Sequence, residues 1–155
     1  MRTHFLAAMF VGATACIGNL TPSQRAQDAA IDLTTAARFG RMDIAIERVS
    51  RDDRERFVQQ HAAWGGAIRI VDCDMLGLKI TDKDHAQAVV SVSWHRVDES
   101  EMRMTQIVQH WKDHRGAWLL ESEERAAGDV GLLGEAATVM RPHSQSFQFE
   151  SITIR

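Results

Sequence analysis

Two hydrophobic periods divide the chain. Between Ala26 and Ala37 the apolar positions Ala26, Ala29, Ala30, Leu33, Ala36 and Ala37 recur at three- and four-residue steps, the stripe of an amphipathic helix. Thr21-Pro22-Ser23-Gln24 opens it, with Thr21 as N-cap, Pro22 at the first position and Gln24 completing a capping box. Gly40 ends it. A short second helix has Met42, Ala45, Ile46 and Val49 on one face. Ser50 as N-cap with Asp53 three residues on predicts a third helix, its inner face formed by Phe57, Val58, His61, Ala62 and Trp64, stopped by Gly65-Gly66. The mixed charges of residues 51–56 fit a solvated first turn.

After Gly66 the period becomes two. Residues 67–80 read as a strand in which Gly77 marks a bulge. In residues 86–97, Val90, Val92 and Trp94 share one face and Ser91, Ser93 and His95 the other. Residues 101–114 form a third strand, which Arg115-Gly116 turns into a fourth over 117–125. Residues 128–134 read as a loop, and 146–155 alternate again, as a further edge strand or an unpaired end. Three helices followed by four sequential strands predict an α+β domain, helices packed on a curved antiparallel sheet.

The 155 residues allow one domain. The formal charge is −3, and without residues 1–15, which carry only Arg2, it is −4. Such a chain has no global attraction for nucleic acid, so no nucleic-acid partner is expected. Residues 5–15 are apolar behind Arg2, a run too short to span a bilayer and suited to an export signal. It ends in Ala13-Thr14-Ala15-Cys16, which resembles a bacterial lipoprotein lipobox with Ala at the position that prefers Leu. The resemblance implies cleavage before Cys16, lipid attached to its thiol and a membrane partner reached through that anchor. Ile17 follows, without the Asp that resembles an inner-membrane retention signal, so the expected place is the cell envelope, at the outer membrane where there are two. The alternative is a plain signal peptide and a soluble periplasmic or secreted protein, in which Cys16 and Cys73 could pair. The expected organisation is a signal peptide over 1–15, an anchor linker over 16–23, a domain over 24–126, and a C-terminal loop and edge strand over 127–155.

The element order resembles the NTF2-like (SnoaL-like) superfamily across residues 24–126. The carriers are Arg38-Phe39-Gly40-Arg41-Met42-Asp43, Arg54-Glu55-Arg56-Phe57, Val108-Gln109-His110-Trp111 and Gly116-Ala117-Trp118-Leu119-Leu120. The resemblance implies a cone in which helices fill a strongly bent sheet around a pocket. It leaves function open, since the superfamily holds isomerases and cyclases as well as non-catalytic binding and assembly domains.

Chemistry is sparse. No helical His pair, paired cysteine spacing or phosphate-binding glycine loop occurs, so no metal or cofactor is expected. The chain has no Tyr, the usual oxyanion donor of ketosteroid isomerase chemistry. Cys73 lies between Asp72 and Asp74, whose charges disfavour a thiolate. Asp72 or Asp74 with His95 or His110 could form an acid–base pair. The pocket candidates are Gln106, His110 and Asp74; Gln106 and His110 reach a cavity if their face of the third strand is concave, and parity alone does not decide that. The expectation is a lipid-anchored envelope protein that binds a small hydrophobic ligand or assembles with itself or another envelope protein, without catalytic residues. The alternative is a SnoaL-like enzyme acting on a small hydrophobic substrate.

Overall fold

The computed structural model describes residues 20–136. The expected leader, Cys16 and the alternating tail lie outside these residues.

Helix α1 (Pro22–Arg38) starts as its sequence requires. Thr21 and Gln24 exchange side-chain-to-backbone hydrogen bonds in a capping box, and Gly40 follows the C-cap Phe39 with φ +69°. The alanine stripe and Leu33 are all buried. Helix α2 (Met42–Ala45) passes into a single 3₁₀ turn (Ile46–Arg48), burying Ala45 and Val49. Helix α3 (Arg54–Gln60) begins later than expected. Ser50 donates its hydroxyl to the Asp53 carboxylate at 2.6 Å instead of capping the helix, and Asp53 takes the N-cap position. Its buried face is narrower too: Phe57, His61 and Trp64 are buried, while Val58 and Ala62 are exposed. Among the described residues no helix is long and apolar enough to cross a membrane.

Strands β1 (Ile68–Ile80), β2 (His85–Arg96), β3 (Arg103–His114) and β4 (Ala117–Gly128) pair antiparallel in sequence order. The chain therefore has the α+β architecture expected, helices against one curved meander. Curvature follows from contact. Helix α1 touches β1, β2 and β4, so it meets both edge strands. Edges of a flat four-stranded sheet stand about 14 Å apart, wider than a helix of about 10 Å. The sheet must close around α1, and alanines on the helix permit the approach.

The enclosed volume is filled by indoles. Trp94, Trp111 and Trp118 are fully buried, and Trp64 nearly so. Trp94 donates to the Thr105 hydroxyl at 2.9 Å, which donates to the Asp129 carbonyl at 2.7 Å. Beyond β4 the turn at 131–134 returns to the core, where Leu132 and Leu133 are buried and the Leu132 carbonyl accepts from the Trp64 indole at 2.8 Å. The packed unit thus runs past residue 126, which falls inside β4.

Four bulges interrupt the register, one of them at Ala126 of β4 between the pairs Ile107–Arg125 and Gln106–Ala127; the other three decide which side chains face the core. On β1, register shifts at Val71 and at Leu76, next to Gly77, each insert one residue against β2. On β4, Glu121 is inserted between the pairs Trp111–Leu120 and His110–Ser122. The Gly77 bulge matches the sequence reading. The Val71 bulge does not, and it moves Asp72 and Asp74 off the face of Ile70: they pair with the outward Ser93 and Ser91, and Cys73 turns inward opposite Val92.

Trp94 is closed in by β2 neighbours and the 131–134 turn, so Trp94→Ala should lower stability by about 3–5 kcal/mol. Chemical denaturation read by circular dichroism measures this; a loss below about 1 kcal/mol would contradict the packing described.

Candidate functional site

The sheet's inner face leaves a cavity of about 10 Å³ between α1, α3 and the strands, walled by Leu33, Thr34, His61, Cys73, Gln109 and Glu123 among others. That is room for about one water molecule. Drug-sized ligands occupy about 300–1,000 Å³, so this closed form does not accommodate a small hydrophobic molecule.

Polar groups converge on it. The His61 ring, stacked on Phe57 at 4.0 Å and edge-on to Trp64 at 4.4 Å, has Nδ1 2.8 Å from the Phe57 carbonyl. Its Nε2 lies 3.1 Å from Glu123 Oε2, with the two side chains 2% and 1% exposed. Gln109 donates to Glu123 Oε1 at 2.7 Å, and the Trp111 indole donates to Gln109 Oε1 at 3.3 Å. Glu123 Oε2 has no aligned hydrogen-bond donor. A carboxylate reaches this depth because the Glu121 bulge reverses the parity of β4 after Leu120; without it Ser122 would point in.

Cys73 also lines the cavity. Burial pushes its thiol up to about 12, Asp72, Asp74 and Glu123 add to the rise, and Arg38 opposes it. Asp72 is held at the sheet edge, where it bonds Arg38 at 2.8 Å and accepts the Cys73 backbone N–H at 2.9 Å.

The candidates from sequence lie elsewhere. The inward face of β3 carries Thr105, Ile107, Gln109 and Trp111, so Gln106 and His110 point outward. His110 meets Gln87 and Glu124, each at 3.4 Å. Asp74 is exposed on β1 opposite Ser91, which pairs with Gln106, so Asp74 and Gln106 share one row across the outer face. None of the three reaches the cavity. The concave face is the other one, because the indoles and α1 occupy it. Sequence reasoning placed His61 inward but missed Glu123 and its contact with Gln109. The run Glu121-Ser122-Glu123-Glu124 has no apolar residue to mark its phase.

No family model and no curated protein matches the sequence. Among solved structures, a candidate Ca/calmodulin-dependent kinase II association domain from Exiguobacterium sibiricum 255-15 is similar at TM-score 0.54 and 12% identity, over 69% of this chain and 95% of that one. That likeness concerns the fold. A cystatin-like fold protein of unknown function from Nostoc punctiforme scores 0.47 at 11% identity, over 74% and 98%. A SEC-C motif protein from Rhodopseudomonas palustris scores 0.46 at 11%, over 60% and 72%.

Because the Cys73 thiol is raised from 9.0 to about 12, its thiolate at pH 8 should be roughly a thousandfold scarcer than that of a free cysteine. In a Cys16→Ser chain, alkylation should be slow when folded and fast in urea. Equal rates would place Cys73 in water.

Proposed function

We propose that this protein is a lipid-anchored, non-catalytic assembly module of the cell envelope, an NTF2-like domain tethered through Cys16. The outer face of its sheet is the surface on which a second copy docks. The observation that supports this reading is the filled inner face: among the described residues its cavity has room for about one water molecule, and the sheet's outer face is broad and exposed.

That outer face has the make-up of an interface. On β2, Gln87, Val89, Ser91 and Ser93 point outward, paired with His110, Val108, Gln106 and Met104 on β3. No Asp, Glu, Lys or Arg interrupts this centre, whereas Asp74 and Lys79 on β1 and Glu124 on β4 border it. Charge depletion at the centre with a charged rim is the pattern of protein interfaces. Strands of 12–13 residues give a face of about 40 Å by about 19 Å, or about 750 Å², close to the roughly 800 Å² that each partner buries in a standard complex. Gln106, His110 and Asp74 remain binding candidates on this reading, as contacts on the outer face.

One observation favours an enzyme instead: His61 and Glu123 form a buried acid–base pair at the cavity wall. Catalysis there would require α1 to move away and open the cone to a small hydrophobic substrate.

Two results test the proposal. Cys16→Ser should shift the protein from the membrane to the soluble fraction; wild type that is already soluble, with a mature N-terminus elsewhere, removes the anchor. In the soluble Cys16→Ser chain, light scattering should give twice the chain mass, and adding Val108→Lys should return it to one chain mass with the melting temperature nearly unchanged. A monomer throughout excludes self-docking, and thermal stabilisation by an apolar compound would favour the pocket reading.

A further inference from the structure

The two edges of the sheet differ in what occupies them. Along β4 the outward backbone is taken: the Leu120 carbonyl accepts the Ser50 N–H at 2.8 Å, that of Glu121 accepts the Arg56 guanidinium, and that of Glu123 accepts the Gln60 amide at 3.5 Å. Along β1 the start is covered in the same way, since the Ile68 N–H and carbonyl bond Ala63 and Gly65, each at 2.9 Å. From Ile70 to Ile80, no other part of the described chain bonds the outward backbone, apart from the Asp72 carboxylate, which accepts the Cys73 N–H at 2.9 Å. Thr81 gives its N–H to the His85 carbonyl at 2.9 Å, so by the alternation of an antiparallel ladder Ile80 and Leu78 turn theirs away from β2.

An open edge of this length is a template for another strand. It is apolar as well. Met75, Leu78 and Ile80 pack against the core but stay half-buried, and Leu76 at the bulge is 55% exposed. On α1, Arg38 reaches Asp72 of β1, and Ile31, two turns earlier on the same side of the helix, is 43% exposed. That side of α1 borders the open edge.

The sequence contains a segment that fits. The inner positions of β1 are Cys73, Met75, Leu78 and Ile80, at steps of two, three and two, because the bulge at Leu76 adds a residue. Phe147, Phe149, Ile152 and Ile154 repeat those steps. A regular strand with this pattern would change face after Phe149. Laid residue for residue along β1, it keeps its apolar side chains on the inner side. Reach permits this. The Leu132 carbonyl bonds the Trp64 indole, and Trp64 bridges Ile68 at the start of β1. The link over residues 137–145 extends up to about 30 Å. So short a link holds the segment at a high effective concentration, which favours the same chain over a second copy.

We propose that residues 146–154 form a fifth strand on the open edge of β1, with Phe147, Phe149, Ile152 and Ile154 beside Cys73, Met75, Leu78 and Ile80. The added strand supplies the missing backbone partners and covers the apolar edge together with Ile31.

Cysteine pairs test the register in a full-length chain carrying Cys16→Ser and Cys73→Ser. Lys79 and Thr153 become outward neighbours on strands about 4.8 Å apart, within disulfide reach. Lys79→Cys with Thr153→Cys should therefore close a disulfide within one chain under mild oxidation. Pairing Lys79→Cys with Ile154→Cys puts the second thiol on the other face, and the yield should be at least about tenfold lower. Equal yields, no disulfide, or a disulfide joining two chains overturns the proposal. Hydrogen exchange gives a second reading without the Cys73 change. In the Cys16→Ser chain the Leu78 and Ile80 amides should exchange at least about tenfold more slowly than in the same chain carrying Ile152→Pro, since proline breaks the ladder. Equal rates refute the added strand.

Discussion

The distance of closest approach between α1 and the sheet sets the rest of the structure. With Ala26, Ala29, Ala30, Ala36 and Ala37 on its buried side, the helix has almost no side-chain depth there, and strands at both edges of the sheet can reach it. A larger residue at any of these positions would push strand and helix apart. The closure bends the sheet, and the bend creates a deep inner face that needs bulky filling. Four tryptophans supply it, most of them placed where one strand ends and the next begins.

Indoles bring N–H groups with them, and buried N–H groups need acceptors. The Trp118 indole N–H has no partner among the described residues, but the other three find one: Trp94 uses Thr105, Trp64 uses the Leu132 carbonyl, and Trp111 uses Gln109. The last choice has consequences. A buried Gln must satisfy its own amide, and it does so on Glu123, which in turn meets His61. The polar cluster is thus a chain of obligations that starts with packing. It joins β3 and β4 through the directional Gln109–Glu123 bond and brings the end of α3 against them through the His61–Glu123 contact. A network of this kind is costly when half satisfied, which is why the unaligned oxygen of Glu123 matters more than any exposed charge.

The same closure separates interior from surface chemistry. Side chains that look like a site in the sequence, such as Asp74, Gln106 and His110, sit on the outer face, where water or another protein can reach them. The inner face carries the acid–base pair but leaves room for about one water molecule. Exposed polar side chains and the buried His61–Glu123 contact lie on opposite sides of one sheet.

How much of this the sequence determined depends on the range of each interaction. Thr21, Pro22, Gln24 and Gly40 act within a few residues, so both ends of α1 were legible, and so were the alternation of β2 and the tight Arg115-Gly116 turn, where both φ angles are positive. The order of three helices and four strands, and with it the α+β class, followed from those local signals. The inward face of β1 and β4 did not. A bulge is an extra residue counted against a partner strand, and no period within Val71-Asp72-Cys73-Asp74 or Glu121-Ser122-Glu123 records it. Only the paired sheet decides that Cys73 and Glu123 point inward while Asp74 points out. The sequence set the elements; the cross-strand register, a property of two segments at once, set the chemistry.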